Sequence, residues 1–204
     1  STGVQTIHQM VWLAEAVARH GQNPRVRDAW AYKAEYHRRL LAPVMARLQR
    51  LRDGRAAADD FLIAGSRALL EALRQAGVAL YVASGTDHPD VLREATALGV
   101  ADYFVEIAGA PVGAMDCSKE AVLRRLVQEA GLQGPEVAVI GDGRVEIALA
   151  REAAALALGA ATDEIARRGL NPRKYARLAR AGAHAIVDDF SEPEALLAWL
   201  LGPI

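Results

Sequence analysis

The chain has 204 residues, and 52% of them are hydrophobic, which is enough for one sizeable core with a small accessory domain. Its 24 Lys and Arg residues nearly balance 25 Asp and Glu residues. The formal net charge of -1 therefore excludes a field that would draw the chain to nucleic acid or an acidic membrane surface. One cysteine, Cys117, excludes an intramolecular disulfide and favours a reducing cytoplasm. No apolar run approaches the roughly 20 residues of a membrane span.

The N-terminal part of the sequence predicts helices only. Residues 4–20 and 28–51 place apolar side chains at steps of three and four, the spacing of an amphipathic helix. Pro43 falls inside the second pattern and predicts a kink or a division of that helix. We therefore expect residues 1–60 to form a helical domain, which ends in the polar segment RDGRAAADD.

The rest of the chain, residues 61–204, predicts α/β structure with a parallel sheet flanked by helices. Short apolar runs alternate with helical patterns there. The strand at 136–140 is continuously apolar, as expected of a strand buried on both faces. Further strands are predicted at 78–83 and 103–107 and in ALALGA and HAIVDDF. Helices are predicted at 65–76, 89–98, 118–130, 144–154, 172–181 and 192–201, with helical patterns also around 162–168.

A first candidate site follows the strand at 78–83. Ser84, Gly85 and Thr86 come after this strand and before the next predicted helix. A hydroxyl and several backbone N–H groups at the positive end of a helix suit a phosphate oxygen. Taken alone, Ser-Gly-Thr is more often a helix N-cap and a turn.

A second candidate site follows the strand at 136–140. Asp142 lies between Gly141 and Gly143, and a carboxylate beside glycines that permit close approach suits a hard cation such as Mg²⁺. Lys119 begins a predicted helix, where the dipole disfavours a cation, and its ammonium could instead offset phosphoryl charge. Each signal alone is weak, but all fall at the carboxyl edge of one predicted sheet, where ligands bind.

The stretches LYVASGT, SKEAVLRRL and VAVIGDG, in this order, resemble the haloacid-dehalogenase superfamily of phosphohydrolases. Ser84 looks like its second motif and Lys119 like its third. The run from Gly141 to Glu146 looks like the fourth, in which an acidic or amide residue stands four positions after the metal-binding aspartate. The resemblance covers residues 65–204, and it implies a Rossmann-like core. The opening TGVQTIHQMVWLAEAVARHG is similar to part of the helical cap in a phosphoglycolate-phosphatase-like branch.

The family's first motif is absent from this sequence. That motif is an apolar strand ending in Asp-x-Asp, whose first aspartate attacks phosphorus and whose second works as acid and base. Asp188 and Asp189 follow HAIV but do not form this pattern. In the family the missing strand lies between those ending at Ser84 and Asp142, so its absence would leave two inner edges unpaired. We therefore expect the sequence to start late, with this strand upstream of Ser1.

The resemblance implies a Mg²⁺-dependent phosphatase that acts on a small phosphorylated metabolite through an aspartyl-phosphate intermediate. Ser84 and the two amides after it would hold the transferring oxygens, while Lys119 would stabilise the charge of nucleophile and phosphate. Asp142 would bind Mg²⁺, and Glu146 would support the metal site through groups that bind the metal rather than by binding it directly. The usual family residue at the last position is Asp or Asn, so Glu146 departs from the pattern.

Other interpretations stay open. If the first motif is truly absent from the protein, the chain is a catalytically inactive binding module of the same fold. A carbon–halogen hydrolase of the superfamily is disfavoured by the metal-like Asp142, and a dinucleotide-binding fold lacks G-x-G-x-x-G after a strand. Gln5, His8 and Gln9 on the first helix face either the site or solvent. The five histidines lack a paired zinc spacing, and Cys117 has no neighbouring base to make it a nucleophile.

Overall fold

The computed structural model describes residues 6–111, 119–129 and 131–202, which contain eight α-helices and five parallel strands. The α/β class predicted from the sequence is confirmed. The helices are α1 Thr6–His20, α2 Ala29–Arg52, α3 Ser66–Gln75, α4 His88–Ala97, α5 Lys119–Glu129, α6 Arg144–Glu152, α7 Pro172–Arg180 and α8 Pro193–Leu201. The strands are β1 Tyr81–Asp87, β2 Glu106–Ala110, β3 Ala138–Gly141, β4 Leu156–Ala160 and β5 Ala185–Val187.

The first two helices precede all the strands and pack against each other. Helix α2 begins where the Asp28 side chain accepts a hydrogen bond from the Ala31 amide at 2.8 Å, which satisfies one of the free donors of the first turn. The helix runs as one element of 24 residues through Pro43, so a division at that residue is wrong. Helix α2 is held by contacts with α1 and α4, and the proline removes only one hydrogen-bond donor from a long helix.

The strands form two sheets rather than one. Strand β1 pairs with β2, with Val82 opposite Ile107, and β3, β4 and β5 form the other sheet in that order. Within the described residues, β1 and β3 each have a strand neighbour on one side only. Strand β3, which was predicted to be buried on both faces, therefore has one unpaired edge among the described residues, and its Ile140 is 37% exposed.

The core lies on both faces of the three-stranded sheet. Successive side chains of β4 point to opposite faces, so Ala157 packs with helices α6 and α7 while Leu158 packs with α3 and α8. Both side chains are fully buried, since β4 is the middle strand. In the two-stranded sheet, Ala108 packs against α5. Helices on both faces of parallel strands give the three layers of an α/β fold.

Residues around 162–168, which carry a helical pattern in the sequence, form turns. The Asp163 side chain accepts hydrogen bonds from the amides of Ile165 and Ala166, both at 2.9 Å, and so offers the backbone an alternative to a helix. Arg167 then takes a positive φ of 56°, and a bridge between Thr162 and Leu170 closes the loop. The helix predicted here is therefore wrong. None of the helices in the described ranges is both long and apolar enough to cross a bilayer.

Gly65 joins the start of α3 to the segment that follows β5. Its φ is +75°, and a Cβ at this position would overlap the backbone of Phe190. The Phe190 amide also donates to the carbonyl of the adjacent Ala64 at 2.9 Å, which holds the two segments at this separation. Glycine is therefore required here both by the backbone angle and by the space.

Replacing Gly65 with alanine should lower the free energy of unfolding by about 3 kcal/mol, because left-handed strain and a backbone clash add. Gly77 is a matched control, since its φ is also +75° but a Cβ there would meet nothing within 4 Å. Gly77→Ala should cost about 1 kcal/mol, the strain alone. Urea denaturation of both variants measures the difference, and equal losses would show that the contact with Phe190 does not matter.

Candidate active site

The segment from Ser84 to Thr86 bulges out of the ladder between β1 and β2. The strands pair regularly up to Ala83 opposite Ala108, and pairing resumes only at Asp87 opposite Ala110. Four steps along β1 therefore correspond to two steps along β2, and the extra residues project from the sheet. Gly85 and Thr86 are exposed at the carboxyl end of the strand. The structure thus presents the predicted phosphate segment as an irregular loop.

Gly109 on β2 makes room for this bulge. A Cβ at position 109 would lie 2.5 Å from the Cα of His88 and 2.8 Å from the carbonyl oxygen of Thr86. Atoms cannot approach this closely without a shift of the backbone. The absence of a side chain on one strand therefore permits the shape of the loop on its neighbour.

The hydroxyl of Ser84 lies within the loop. Its Oγ accepts a hydrogen bond from the backbone amide of Thr86 at 3.1 Å, in the manner of a Ser/Thr turn. The amide predicted to bind a phosphate oxygen is therefore held by Ser84 in this structure. A ligand oxygen in the loop would compete with the hydroxyl for that donor.

The loop forms one side of a cleft with a volume of about 260 Å³. Gly85, Thr86 and Asp87 line the cleft from the core, and helices α1 and α2 cover it from the other side. The helices contribute Thr6, Ile7, Lys33, Tyr36, His37, Leu40, Leu41 and Val44, while Glu94 and Ala110 complete the walls. A pocket between a sheet edge and a helical cover is a suitable place for a small ligand.

Ion pairs connect the helical cover to the core beside this cleft. Lys33 Nζ lies 3.2 Å from an oxygen of Asp87, and His37 Nε2 lies 2.6 Å from an oxygen of Asp90. Arg93 holds the other oxygen of Asp90 at 2.5 Å. The Asp90 side chain is only 9% exposed, and these two partners satisfy its two oxygens. Helix α2 is thereby fixed to the start of α4.

His37, Asp87 and Asp90 have the composition of a metal-binding group. One ligand atom from each lies within 4.8 Å of the others. However, Lys33 and Arg93 already neutralise the two carboxylates, so the arrangement is that of an ion-pair network between helices. The sequence interpretation missed this cluster. The available signal was the four-residue step from Lys33 to His37, which puts both on one face of a helix.

Glu94 brings a further carboxylate to the wall of the cleft. Burial raises its pKa, and the neighbouring charge of Asp90 raises it further, while Arg93 and Arg47 oppose both effects. The environment of Glu94 therefore favours the protonated form more than water does.

Asp142 follows β3 directly, as predicted, and its side chain is 54% exposed. Lys174 on α7 lies 3.0 Å from one of its carboxylate oxygens and 2.6 Å from Glu164. Burial lowers the pKa of Lys174, but hydrogen bonds to Glu164 and Asp142 outweigh it and raise the pKa overall. Arg177 also donates to the Asp142 carbonyl at 3.0 Å. The predicted metal ligand thus carries a protein cation as its partner.

Glu146 lies over the glycines of the same loop. A Cβ at Gly141 would fall 2.6 Å from the Cβ of Glu146, and a Cβ at Gly143 would overlap the Glu146 carboxylate. The two glycines therefore let this carboxylate approach the loop that holds Asp142. Carboxylate oxygens in such an arrangement are donors that suit Mg²⁺, so the residues fit a hard cation.

The remaining predicted residues are placed only in part. Lys119 begins α5, but its side chain lies outside the described residues, as do Gln5 and Cys117. His8 and Gln9 are on α1, where the described walls of the cleft include Thr6 and Ile7 instead. Asp142 is likewise not among the described cleft residues, so the structure joins Gly85 and Thr86 to the helical cover but does not bring Asp142 into that cleft.

The sequence between residues 5 and 154 matches the profile of haloacid dehalogenase-like hydrolases. The chain belongs to this family. Among curated proteins no relative matches. A predicted phosphatase from Clostridium acetobutylicum has a similar structure, with a TM-score of 0.55 and 25% identity over 65% of this chain and 58% of that one. The chain thus spans less than two thirds of the length of this relative.

Two further solved structures are similar in fold. A haloacid dehalogenase family hydrolase from Deinococcus radiodurans, solved with phosphate and sodium, has a TM-score of 0.52 and 24% identity over 69% of this chain and 61% of its own. A β-phosphoglucomutase from Clostridium difficile has a TM-score of 0.55 and 14% identity, and the match covers 97% of this chain and 93% of that chain. The resemblance seen in LYVASGT, SKEAVLRRL and VAVIGDG is therefore confirmed at the level of the family.

Glu94→Gln should stabilise the protein at neutral pH. Because the folded state raises the pKa of Glu94, ionisation favours the unfolded state, and the amide removes this cost. The stabilisation should be present above the folded pKa and should vanish below the unfolded pKa, where both states are protonated. Thermal melts of both proteins from pH 3.5 to pH 8 measure it. A gain that is the same at every pH would mean that the charge of Glu94 is not the cause.

Proposed function

We propose that the protein containing this chain is a phosphatase that hydrolyses a small phosphorylated metabolite in the cytoplasm with Mg²⁺ as cofactor. The observation that carries the proposal is the exposed loop of Gly85 and Thr86, which ends β1 and faces a ligand-sized cleft in a chain of this family. No nucleic-acid or membrane partner is part of the proposal.

We further propose that one more parallel strand, carrying Asp-x-Asp, lies between β1 and β3. Each of these strands has a described partner on one side only, and Ile140 of β3 has an uncovered apolar side chain. Helix α5 packs on β1, helix α6 packs on β3, and the two helices contact each other. They would cover the added strand on one face. A strand in that position would end at the same edge as Ser84 and Asp142.

The chemistry assigned to this site is transfer of the phosphoryl group in two steps. A carboxylate oxygen of the added strand attacks phosphorus, the bond from phosphorus to the alcohol oxygen breaks, and the second aspartate gives that oxygen a proton. The ionised second aspartate then takes a proton from water as the water oxygen attacks phosphorus, the bond from phosphorus to the carboxylate oxygen breaks, and inorganic phosphate and the free carboxylate are released. Ser84 and the amides of Gly85 and Thr86 hold the non-reacting oxygens. Lys119 offsets the negative charge of nucleophile and phosphate.

Asp142 is the residue of this chain that would hold Mg²⁺, with Glu146 supporting it from the adjacent turn of α6. When bound, the cation would neutralise phosphate charge and align the group for in-line attack. Lys174 Nζ lies 3.0 Å from one oxygen of Asp142, so a bound cation would share this carboxylate with Lys174 or replace it.

Full-length protein should release phosphate from p-nitrophenyl phosphate in the presence of Mg²⁺, and chelation should abolish the release. Asp142→Asn should lower kcat/KM by about 100-fold, because it removes a charged metal ligand. Ser84→Ala should lower kcat by about 10- to 100-fold, since one donor to the transferring oxygens is lost. Glu192→Gln, on the segment before α8, is a surface control and should retain activity.

Inorganic phosphate and p-nitrophenol should appear in equal amounts. Turnover that survived both chelation and Asp142→Asn would refute the metal role. The absence of turnover in a folded full-length protein would instead favour a catalytically inactive binding module.

A further inference from the structure

The cleft beside the Gly85 and Thr86 loop has a predominantly apolar cover. The side chains that helices α1 and α2 contribute there are mostly hydrocarbon or aromatic, and they face a loop made of small polar residues. The apolar members are Ile7, Tyr36, Leu40, Leu41 and Val44. One end of the cleft is therefore suited to a phosphate and the opposite wall to a group without hydrogen-bonding capacity.

The charged side chains of the cleft do not offer an anion-binding position on that wall. The two basic residues among its described walls are Lys33 and His37. Lys33 is paired with Asp87 at 3.2 Å, and His37 is held by Asp90 at 2.6 Å. Glu94 adds an acidic group. A substrate with a second negative charge, such as a carboxylate, would have to break an ion pair or lie near Glu94.

A sugar would also be poorly matched to this wall. Each hydroxyl that loses water without gaining a partner lowers affinity by between about fivefold and about 150-fold. An apolar group, by contrast, gains from the same burial. The volume of about 260 Å³ is sufficient for a ring or a short chain, since an apolar cavity of about 150 Å³ is large enough to hold benzene.

We propose that this cleft selects phosphate monoesters of neutral, apolar alcohols, with the alkyl or aryl group packed against Leu41 and its neighbours on α2. This inference rests on the proposed phosphatase activity and narrows its substrate class. It disfavours sugar phosphates and phosphorylated carboxylic acids, because most side chains that the described part of the cover contributes to the cleft are hydrocarbon or aromatic.

A series of n-alkyl phosphates tests the proposal with full-length protein and Mg²⁺. Propyl, butyl, pentyl and hexyl phosphate share a primary alcohol leaving group, so their intrinsic reactivity is nearly constant and differences in kcat/KM report contacts of the chain. We expect a rise of about two- to fourfold per methylene until the cleft is filled. Hexyl phosphate should exceed glucose 6-phosphate and 2-phosphoglycolate by at least about tenfold.

Leu41→Asn should remove the dependence on chain length, because it places an amide on the apolar wall. The kcat/KM for hexyl phosphate should fall by about tenfold, while that for propyl phosphate should change little. Met45→Asn is the matched control. This substitution has a similar cost in helix propensity, because Met45 also lies in α2. Met45 is outside the described walls of the cleft and is 42% exposed, so kcat/KM for hexyl and for propyl phosphate should both be retained.

The outcomes separate this inference from the proposed function. If all esters are hydrolysed but kcat/KM is flat or falls with chain length, the phosphatase stands and the substrate class is overturned. If no ester is hydrolysed, the phosphatase fails, and calorimetry with n-alkylphosphonates decides the inference. Binding that tightens from propyl- to hexylphosphonate supports the apolar subsite. Binding that is absent or independent of chain length overturns it.

Discussion

The arrangement of this chain depends on the pairing of parallel strands at a common edge. Parallel strands bring all their carboxyl ends to one side of a sheet, and this places the loops after β1 and β3 where chemistry can occur. The same pairing explains the burial of β4, which has neighbours on both sides, and the exposure of Ile140 on β3, which does not. The two strands that end in the candidate site, β1 and β3, are thus each paired on one side only among the described residues.

A buried carboxylate connects the helical cover to this edge. Asp90 receives His37 from α2 and Arg93 from its own helix, so the position of α2 depends on a charge in the first turn of α4. A charge with little access to water is costly unless it is paired, and both partners are needed to satisfy its two oxygens. The position of the helices that wall the cleft thus depends on the pairing of Asp90 as well as on apolar packing.

The sequence predicted the features that depend on local pattern. Apolar periodicity located the eight helices of the described residues to within about two residues at each end, and the small residues after two strands identified the loops at Ser84 and Asp142. It failed where a side chain or a distant contact decides the outcome. Asp163 captures two backbone amides and turns a helical pattern into a loop. The partnership of Lys174 with Asp142 joins positions that no spacing rule connects.

Gly109 has a consequence for how substitutions would be tolerated. It carries no functional group, yet the space above its Cα is taken by Thr86 of the other strand and by His88, the first residue of α4. A saturation scan would therefore rank this position among the most sensitive of the chain, although it is not among the described walls of the cleft. The information that shapes the loop is distributed over two strands, and a graft of LYVASGT into another sheet would require the glycine as well.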